Sequence, residues 1–316
     1  MVLMSFFSCK ETKMDAVGVI FGFSSYEGLV FGLVAIGVYL TLRVLAFPDL
    51  TVDGSYTLGG ATSAVLIVKG FNPLVGIFAA LVAGLCAGII TAVLNTKLRL
   101  PALLAGILMM VGLYSVNLRI MGGANVSLLR EPTIFDQAGG LLGIGSNTIG
   151  LSIIVALLIA VFVLLILNWF LRTELGLGLR ATGDNEEMVR GLGSDTNKNL
   201  ILGVSIANGL VALAGSVVAQ AQGFADVGMG IGMVVMGLAS VIIGETLFNP
   251  RGVAGLLLAG ISGAFIYRLI ITIALRLGLA PGDLKLITAL LVIAAMAVPY
   301  IKKKIRHEWI PPAERW

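Results

Sequence analysis

Apolar runs long enough, or nearly long enough, to cross a bilayer follow one another along almost the whole chain, and this recurrence restricts the fold more than any other feature. The runs cover residues 26–47, 53–68, 73–94, 101–120, 149–171, 200–219, 229–248, 253–275 and 284–301. About 20 apolar residues cross the hydrocarbon as a helix. Backbone groups in lipid must be satisfied within the spanning structure, and no ten-residue alternating pattern points to a barrel, so the runs read as helices. The expected fold is all-α, a polytopic membrane bundle of about eight to ten transmembrane helices with internal helix-bundle repeats. Composition agrees. Only 12% of the 316 residues are charged, against about 25% in a soluble domain, and the mean hydropathy is +1.03. Such a chain cannot cover itself with polar groups in water. Its 41 glycines suit membrane helices that approach closely.

Basic residues orient the bundle. The cluster Lys302-Lys303-Lys304-Ile305-Arg306 directly follows the last run, as expected at a cytoplasmic end beside anionic lipid. Alternating backwards places Arg43, Lys97, Arg99, Arg172, Arg180, Arg190, Lys198 and Arg251 on the same side, with Lys10, Lys13, Lys69, Arg119, Arg130, Arg268, Arg276 and Lys285 opposite, a moderate bias. The net charge of +4 is spread between and after the runs, a pattern that does not suggest nucleic acid. The expected organisation is an N-terminal tail over 1–25, one transmembrane domain over 26–301 and a basic cytoplasmic tail over 302–316. Met14 is an alternative start to Met1. The run at 53–68 is short; if it only re-enters, the N-terminal side flips.

The residues for bond-making chemistry are missing. The chain has no Gly-x-x-x-x-Gly-Lys-Ser/Thr phosphate loop, no His-Glu-x-x-His and no paired-cysteine metal spacing. Its only histidine, His307, lies in the basic tail, and Cys9 and Cys86 fit neither a framework disulfide nor a metal site. No catalytic or metal site is expected.

Two segments carry functional signals. The first, 48–61, reads Pro-Asp-Leu-Thr-Val-Asp-Gly-Ser-Tyr-Thr-Leu-Gly-Gly-Ala and opens the short run. Thr51, Asp53 or Ser55 could cap a helix that begins at membrane depth. Transporters use such helix N-termini, with free N–H groups and a positive dipole end, beside the substrate path. Thr51, Asp53, Ser55 and Thr57 are therefore candidate path residues, and the plainer alternative is a cap at headgroup level. The second segment, the loop 172–199, holds a short helix expected over 185–192, capped by Thr182 or Asp184 and stopped by Gly193. Glu186 and Glu187 suit its first turn. The helix would expose Met188, Val189 and Leu192 inside a charged rim, a docking pattern rather than a plain solvated loop. Elsewhere, Glu245 reads as the end of a span, and Asn117, Ser205 and Asn208 as interhelical hydrogen-bonding groups.

These stretches resemble the permeases of the branched-chain amino acid and ribose importer class of ABC transporters, over nearly the whole chain from about Met14. Residues 48–61 resemble the family's second-helix motif in a Thr-Val-Asp-Gly-Ser variant, similar to tryptophan- or tyrosine-type systems. Residues 178–193 resemble its cytoplasmic coupling helix, and 237–263 its glycine-rich later span, from which Gly237-Leu-Ala-Ser240 departs. The resemblance implies a bacterial inner-membrane importer: a pair of permeases, two ABC ATPase subunits that bind the ATP and magnesium, and an external or periplasmic substrate-binding protein. This chain would carry no cofactor. Arg180, Thr182, Gly183, Asp184, Asn185, Glu186, Met188, Val189 and Leu192 would form the ATPase contact, and the substrate would be an amino acid, aromatic or branched-chain. The rival reading, an ion-gradient-driven secondary transporter, would need ionisable relays inside several spans, and few acids other than Asp53 and Glu245 are found there. A membrane scaffold would need neither the polar second helix nor the docking-like loop.

Overall fold

The computed structural model describes residues 13–142, 149–279, 281–283, 286–294 and 297. The basic cluster at 302–306, His307, the 302–316 tail and Cys9 lie outside the described residues. Helix α1 (Lys13–Tyr39) runs into a π turn at Leu40–Val44 and begins well before Tyr26, inside the stretch expected as a tail. There follow α2 (Thr51–Val68), α3 (Pro73–Thr96), α4 (Ala102–Met121), β1 (Asn125–Ser127), α5 (Ile134–Leu142) and α6 (Ile149–Phe170). The second part holds α7 (Glu174–Asp184), α8 (Glu186–Gly191), α9 (Thr196–Gln222), β2 (Phe224–Asp226), α10 (Met233–Phe248) and α11 (Gly252–Arg276). A helical stretch at 286–294 occupies part of the ninth apolar run.

Among the described residues, six stretches are long and apolar enough to cross a bilayer: Phe21–Val44, Pro73–Thr96, Ala102–Met121, Ile149–Phe170, Thr196–Gln222 and Gly252–Arg276. Burial separates centre from rim. The most apolar windows of the first and fifth are 78% buried, against 22% in α4 and 28% in α6. Helices α1 and α9 therefore form the core. Phe78 of α3, Val111 of α4 and Leu158, Phe162 and Trp169 of α6 point outward as the surface that lipid covers.

Close backbone approach holds the centre together. A methyl group on Gly59 of α2 would be driven into the Ala212 carbonyl of α9, and one on Gly215 of α9 into the Tyr56 carbonyl of α2. These reciprocal contacts interlock α2 and α9, as small residues do where membrane helices pack. Gly84 and Gly88 of α3 meet Asn208 and Ser205 of α9, so α3 and α9 run antiparallel.

Local signals set the ends. Asn72 accepts a hydrogen bond from the Leu74 N–H at 2.9 Å with Pro73 in the first turn of α3. Gly223, with φ of 76°, ends α9 in the left-handed conformation. Between α4 and α6 the chain contributes β1 and α5. Strand β1 pairs antiparallel with β2, Val126 opposite Ala225.

The bundle thus has two distinct ends. The two-stranded β1–β2 sheet and the Ala61, Ile67, Met121 and Ala219 cluster mark one. Helices α7 and α8, the C-terminal ends of α1 and α10 and the start of α9 mark the other. Arg43 of the π turn pairs with Glu245 near the end of α10 at 2.6 Å, which fits the expected place of Glu245 at a span end.

Candidate functional site

After the π turn the chain turns back into the bundle before α2 begins. Asp49, 2% exposed, accepts the Thr51 N–H at 2.8 Å through Oδ1 and the Asn208 side-chain N–H at 2.6 Å through Oδ2. Asn208 lies twelve residues into α9, roughly 18 Å along its axis from Thr196 at 1.5 Å per residue. Helix α2 therefore starts well inside the bundle, and its first turn is held by Asp49 rather than by Thr51, Asp53 or Ser55. The correction has a simple cause: Asp49 precedes the helix, and its carboxylate reaches the free N–H two residues on, whereas the other three lie inside the helix.

The four candidate path residues separate into two pairs. Thr51 and Ser55 are fully buried against neighbouring helices. Thr51 shares a hydrogen bond with Thr91 of α3 at 2.9 Å, and the Ser55 hydroxyl donates to the Asn208 side-chain oxygen at 2.7 Å. Asp53 and Thr57 face the start of α10. The Asp53 carboxylate accepts the Gly232 N–H and the Val234 N–H, each at 2.9 Å. The Thr57 hydroxyl accepts the Gly230 N–H at 3.1 Å. Asp53 thus caps a helix far away in sequence. It satisfies free N–H groups and lays its charge against the positive end of the α10 dipole. Gly232 has a φ of 91°, a conformation that glycine adopts without strain. Helix α2 runs from here toward the β1–β2 end and α10 toward the α7–α8 end. Two helix N-termini, each with its own carboxylate, meet inside the bundle. Asn208 ties α9 to α2, and the Asn117 side chain donates to the Gly54 carbonyl at 3.1 Å, which ties α4 to α2. Both behave as the interhelical groups expected.

At the α7–α8 end the expected loop is largely helical. Thr173 accepts the Gly176 N–H at 3.4 Å and starts α7. The cap of α8 is Asn185, whose side-chain oxygen accepts the Met188 N–H at 2.9 Å; neither Thr182 nor Asp184 plays that part. Thr182 is buried and accepts from the Asn199 side chain at 3.0 Å, while Asp184 is the last residue of α7. Gly183 packs so tightly on the Val44 carbonyl of the π turn that a side chain there would displace it. Val189 is buried rather than exposed, because α8 turns that side toward the bundle. Met188 and Leu192, at 56% and 77% exposure, remain outward with Leu175 and Leu177 of α7. Around them Arg180, Asp184, Asn185 and Glu186 are exposed, and Arg190 pairs with Glu186. Asp195 caps α9. The Lys198 N–H holds its carboxyl below the usual carboxylate range.

Sequence reasoning missed Asp49 and a buried ion pair. Arg268, counted only as an orienting charge on the side opposite the cytoplasm, sits inside α11 and meets Glu27 of α1 at 3.2 Å, with side chains 18% and 15% exposed. The signal was present: each charge interrupts an apolar run, and intramembrane charges are rare and functional.

A sequence profile described as branched-chain amino acid transport system / permease component matches residues 20–297. The chain is 42% identical over 289 residues to a tyrosine transport system permease protein of Clostridioides difficile, covering 90% of this chain and 94% of that one. It is 30% identical over 189 residues to the ribose import permease protein of Escherichia coli, covering 58% and 56%. Among solved structures, PsaBC from Streptococcus pneumoniae in complex with Fab aligns over 93% of this chain and 92% of that chain, with a TM-score of 0.49 and 15% identity.

Proposed function

The chain belongs to the family of permease components of branched-chain amino acid transport systems, and from that premise we propose that it is one of a pair of identical permeases in an ATP-driven importer of an aromatic amino acid, most specifically L-tyrosine. An external binding protein delivers the substrate at the β1–β2 end. Two ABC ATPase subunits, which hold the ATP and magnesium, seat on the α7–α8 end. That end and the C-terminus face the cytoplasm of a bacterial cell, with the chain in the inner membrane. The extent of the match to the tyrosine permease supports the substrate.

One observation carries the coupling part of this reading: the exposed Met188 and Leu192 stand at the end where the π turn of α1, the last turn of α10 and the start of α9 converge. A push on α8 reaches the core helices directly through Val189 and Gly183. An apolar pair in a charged rim is the kind of surface that a groove on a partner takes up. Residues Arg180, Thr182, Gly183, Asp184, Asn185, Glu186, Met188, Val189 and Leu192 make up this seat, with Thr182, Gly183 and Val189 holding it to the bundle and the rest facing the partner.

Tagged purification in mild detergent with mass spectrometry and an ATPase assay tests the seat. The wild type is expected to bring down an ABC ATPase. Leu192→Asp and Met188→Asp, both at solvent-facing positions, should leave the permease in the membrane and reduce the recovered ATPase by roughly tenfold or more, as truncating central interface anchors does. Undiminished recovery in both variants would remove the seat. A milder result is expected for Asn185→Ala: loss of its cap costs about 1 kcal/mol of α8 stability, and coupling weakens without being abolished.

A further inference from the structure

Four features coincide where α1 ends. The helix finishes as a π turn over Leu40–Val44, a rare form that occurs mostly as short interruptions at functional sites. Ala46, two residues on, is left-handed at φ of 51°, a conformation that strains a residue with a Cβ and lasts only where its surroundings hold it. Here the Phe47 N–H, donating to the Thr41 carbonyl at 2.8 Å, closes the chain around it. Gly183 of α7 lies against the Val44 carbonyl, with no room for a side chain between them. Arg43, inside the π turn, reaches across to Glu245 of α10 at 2.6 Å. The pair does little to hold the bundle together. Its side chains are 45% and 22% exposed, and pairs this open to solvent add little to stability. Packing supplies the cohesion: Gly237 of α10 lies against Val38 of α1, and Gly244 of α10 against the Ala259 carbonyl of α11.

We propose that the Arg43–Glu245 pair is a latch between the π turn of α1 and α10, made in the resting transporter and broken when the ATPase subunits move α7; this deepens the import function proposed above and rests on it. The latch lies on the path that such a movement must take. Helix α7 belongs to the ATPase seat and bears on the π turn through Gly183. Helix α10 runs 16 residues, about 24 Å, from the latch to the junction inside the bundle, where Asp53 of α2 holds its first turn. Displacing the end of α1 relative to α10 parts the two charges. Water then takes up each of them, which is why a half-exposed pair can open where a buried one could not. Arg180 of α7 brings a second cation to the same place, since the Tyr39 hydroxyl lies in the fields of Glu245, Arg180 and Arg43 together. A contact made in one state and absent in the other shifts the balance between the states by its own net worth and no more. The latch therefore biases the transporter toward rest without locking it there.

The test reconstitutes the complete complex, permeases with ATPase subunits, in liposomes. ATP hydrolysis is measured with and without binding protein loaded with L-tyrosine, beside uptake of the radiolabelled amino acid. Arg43→Gln, Glu245→Gln and the double substitution remove the latch while keeping polar side chains of similar length. The expected result is hydrolysis without binding protein about threefold to fivefold higher in each single variant, the factor that corresponds to the upper range for an exposed pair. Stimulation by the loaded binding protein and uptake per ATP fall by a similar factor, and the amount of assembled complex stays at the wild-type level. The double substitution should match either single variant, because the second change finds no pair left to break. A purely structural pair would lower assembly and would not raise hydrolysis. Unchanged resting hydrolysis in both single variants would overturn the latch. Loss of assembly in step with activity, or effects that multiply in the double substitution, would overturn it as well. A wild-type complex that the loaded binding protein stimulates but that takes up no L-tyrosine would overturn the substrate alone, and the latch is then read from hydrolysis. A wild-type complex with neither activity would overturn the import function, and the latch with it.

Discussion

Asp53→Ala leaves little folded protein in the membrane, and Asp53→Asn follows in the same direction with a smaller loss. The reason lies in what the carboxylate holds. It accepts two backbone N–H groups at the start of α10, from Gly232 and Val234. In lipid those donors have no water to turn to. Leaving a buried donor without a partner costs about 1–3 kcal/mol each. The lost interaction with the helix dipole adds up to about 2 kcal/mol in a partly buried setting. Together these are a large share of a typical stability of about 5–15 kcal/mol. Asparagine retains one acceptor oxygen but turns an NH2 group toward the second donor. Fluorescence-detected size-exclusion chromatography in mild detergent reads the effect as a several-fold smaller monodisperse peak. A full peak for both variants, with transport alone impaired, would show that Asp53 acts on the passing substrate and not as the cap of α10.

Gly59→Val is expected to prevent folding more completely. At this position α2 and α9 touch backbone to backbone, and the added atoms would meet the Ala212 carbonyl. Ordinary overpacking costs about 1–3 kcal/mol because side chains can shift; a carbonyl on a core helix cannot. The helices would have to part, which breaks the Ser55–Asn208–Asp49 chain of hydrogen bonds as well. Gly112→Ala in α4 is the control, since nothing lies within 4 Å of the added methyl. It should be tolerated, with a gain of up to about 1 kcal/mol from helix propensity. The same chromatography checks both, and recovery of Gly59→Val at the wild-type level would contradict the α2–α9 packing.

The spans were legible because length and apolarity alone decide them, and the shortness of the 53–68 run pointed to a helix beginning at depth. Asp53 was legible as an acid with work to do in the membrane. Its partners were not: the N–H groups it caps lie 179 and 181 residues further along the chain, and no local pattern links them. Helix α7 was read as part of the loop 172–199, a stretch that holds Gly176 and Gly178. In the structure Gly176 is small so that α7 can lie on Leu171, and Gly178 faces Asn199. Glycine there reports close packing, not a break. The cap of α8 was placed one and three residues early because Thr182, Asp184 and Asn185 are all good caps, and only the backbone of Asn185, with φ of −159°, leaves the helical region. Glu27 and Arg268 were each visible as a charge in an apolar run. Their meeting across α1 and α11 was not.

The most direct test of the account is the energy source of transport. Proteoliposomes holding the purified complex, supplied with binding protein and L-tyrosine outside, are compared with ATP inside, without ATP, and with ATP plus ionophores that collapse proton and sodium gradients. The account predicts uptake that requires ATP, withstands the ionophores and is lost in Leu192→Asp. Uptake driven by an imposed ion gradient without ATP or an ATPase subunit would contradict it and identify a secondary transporter.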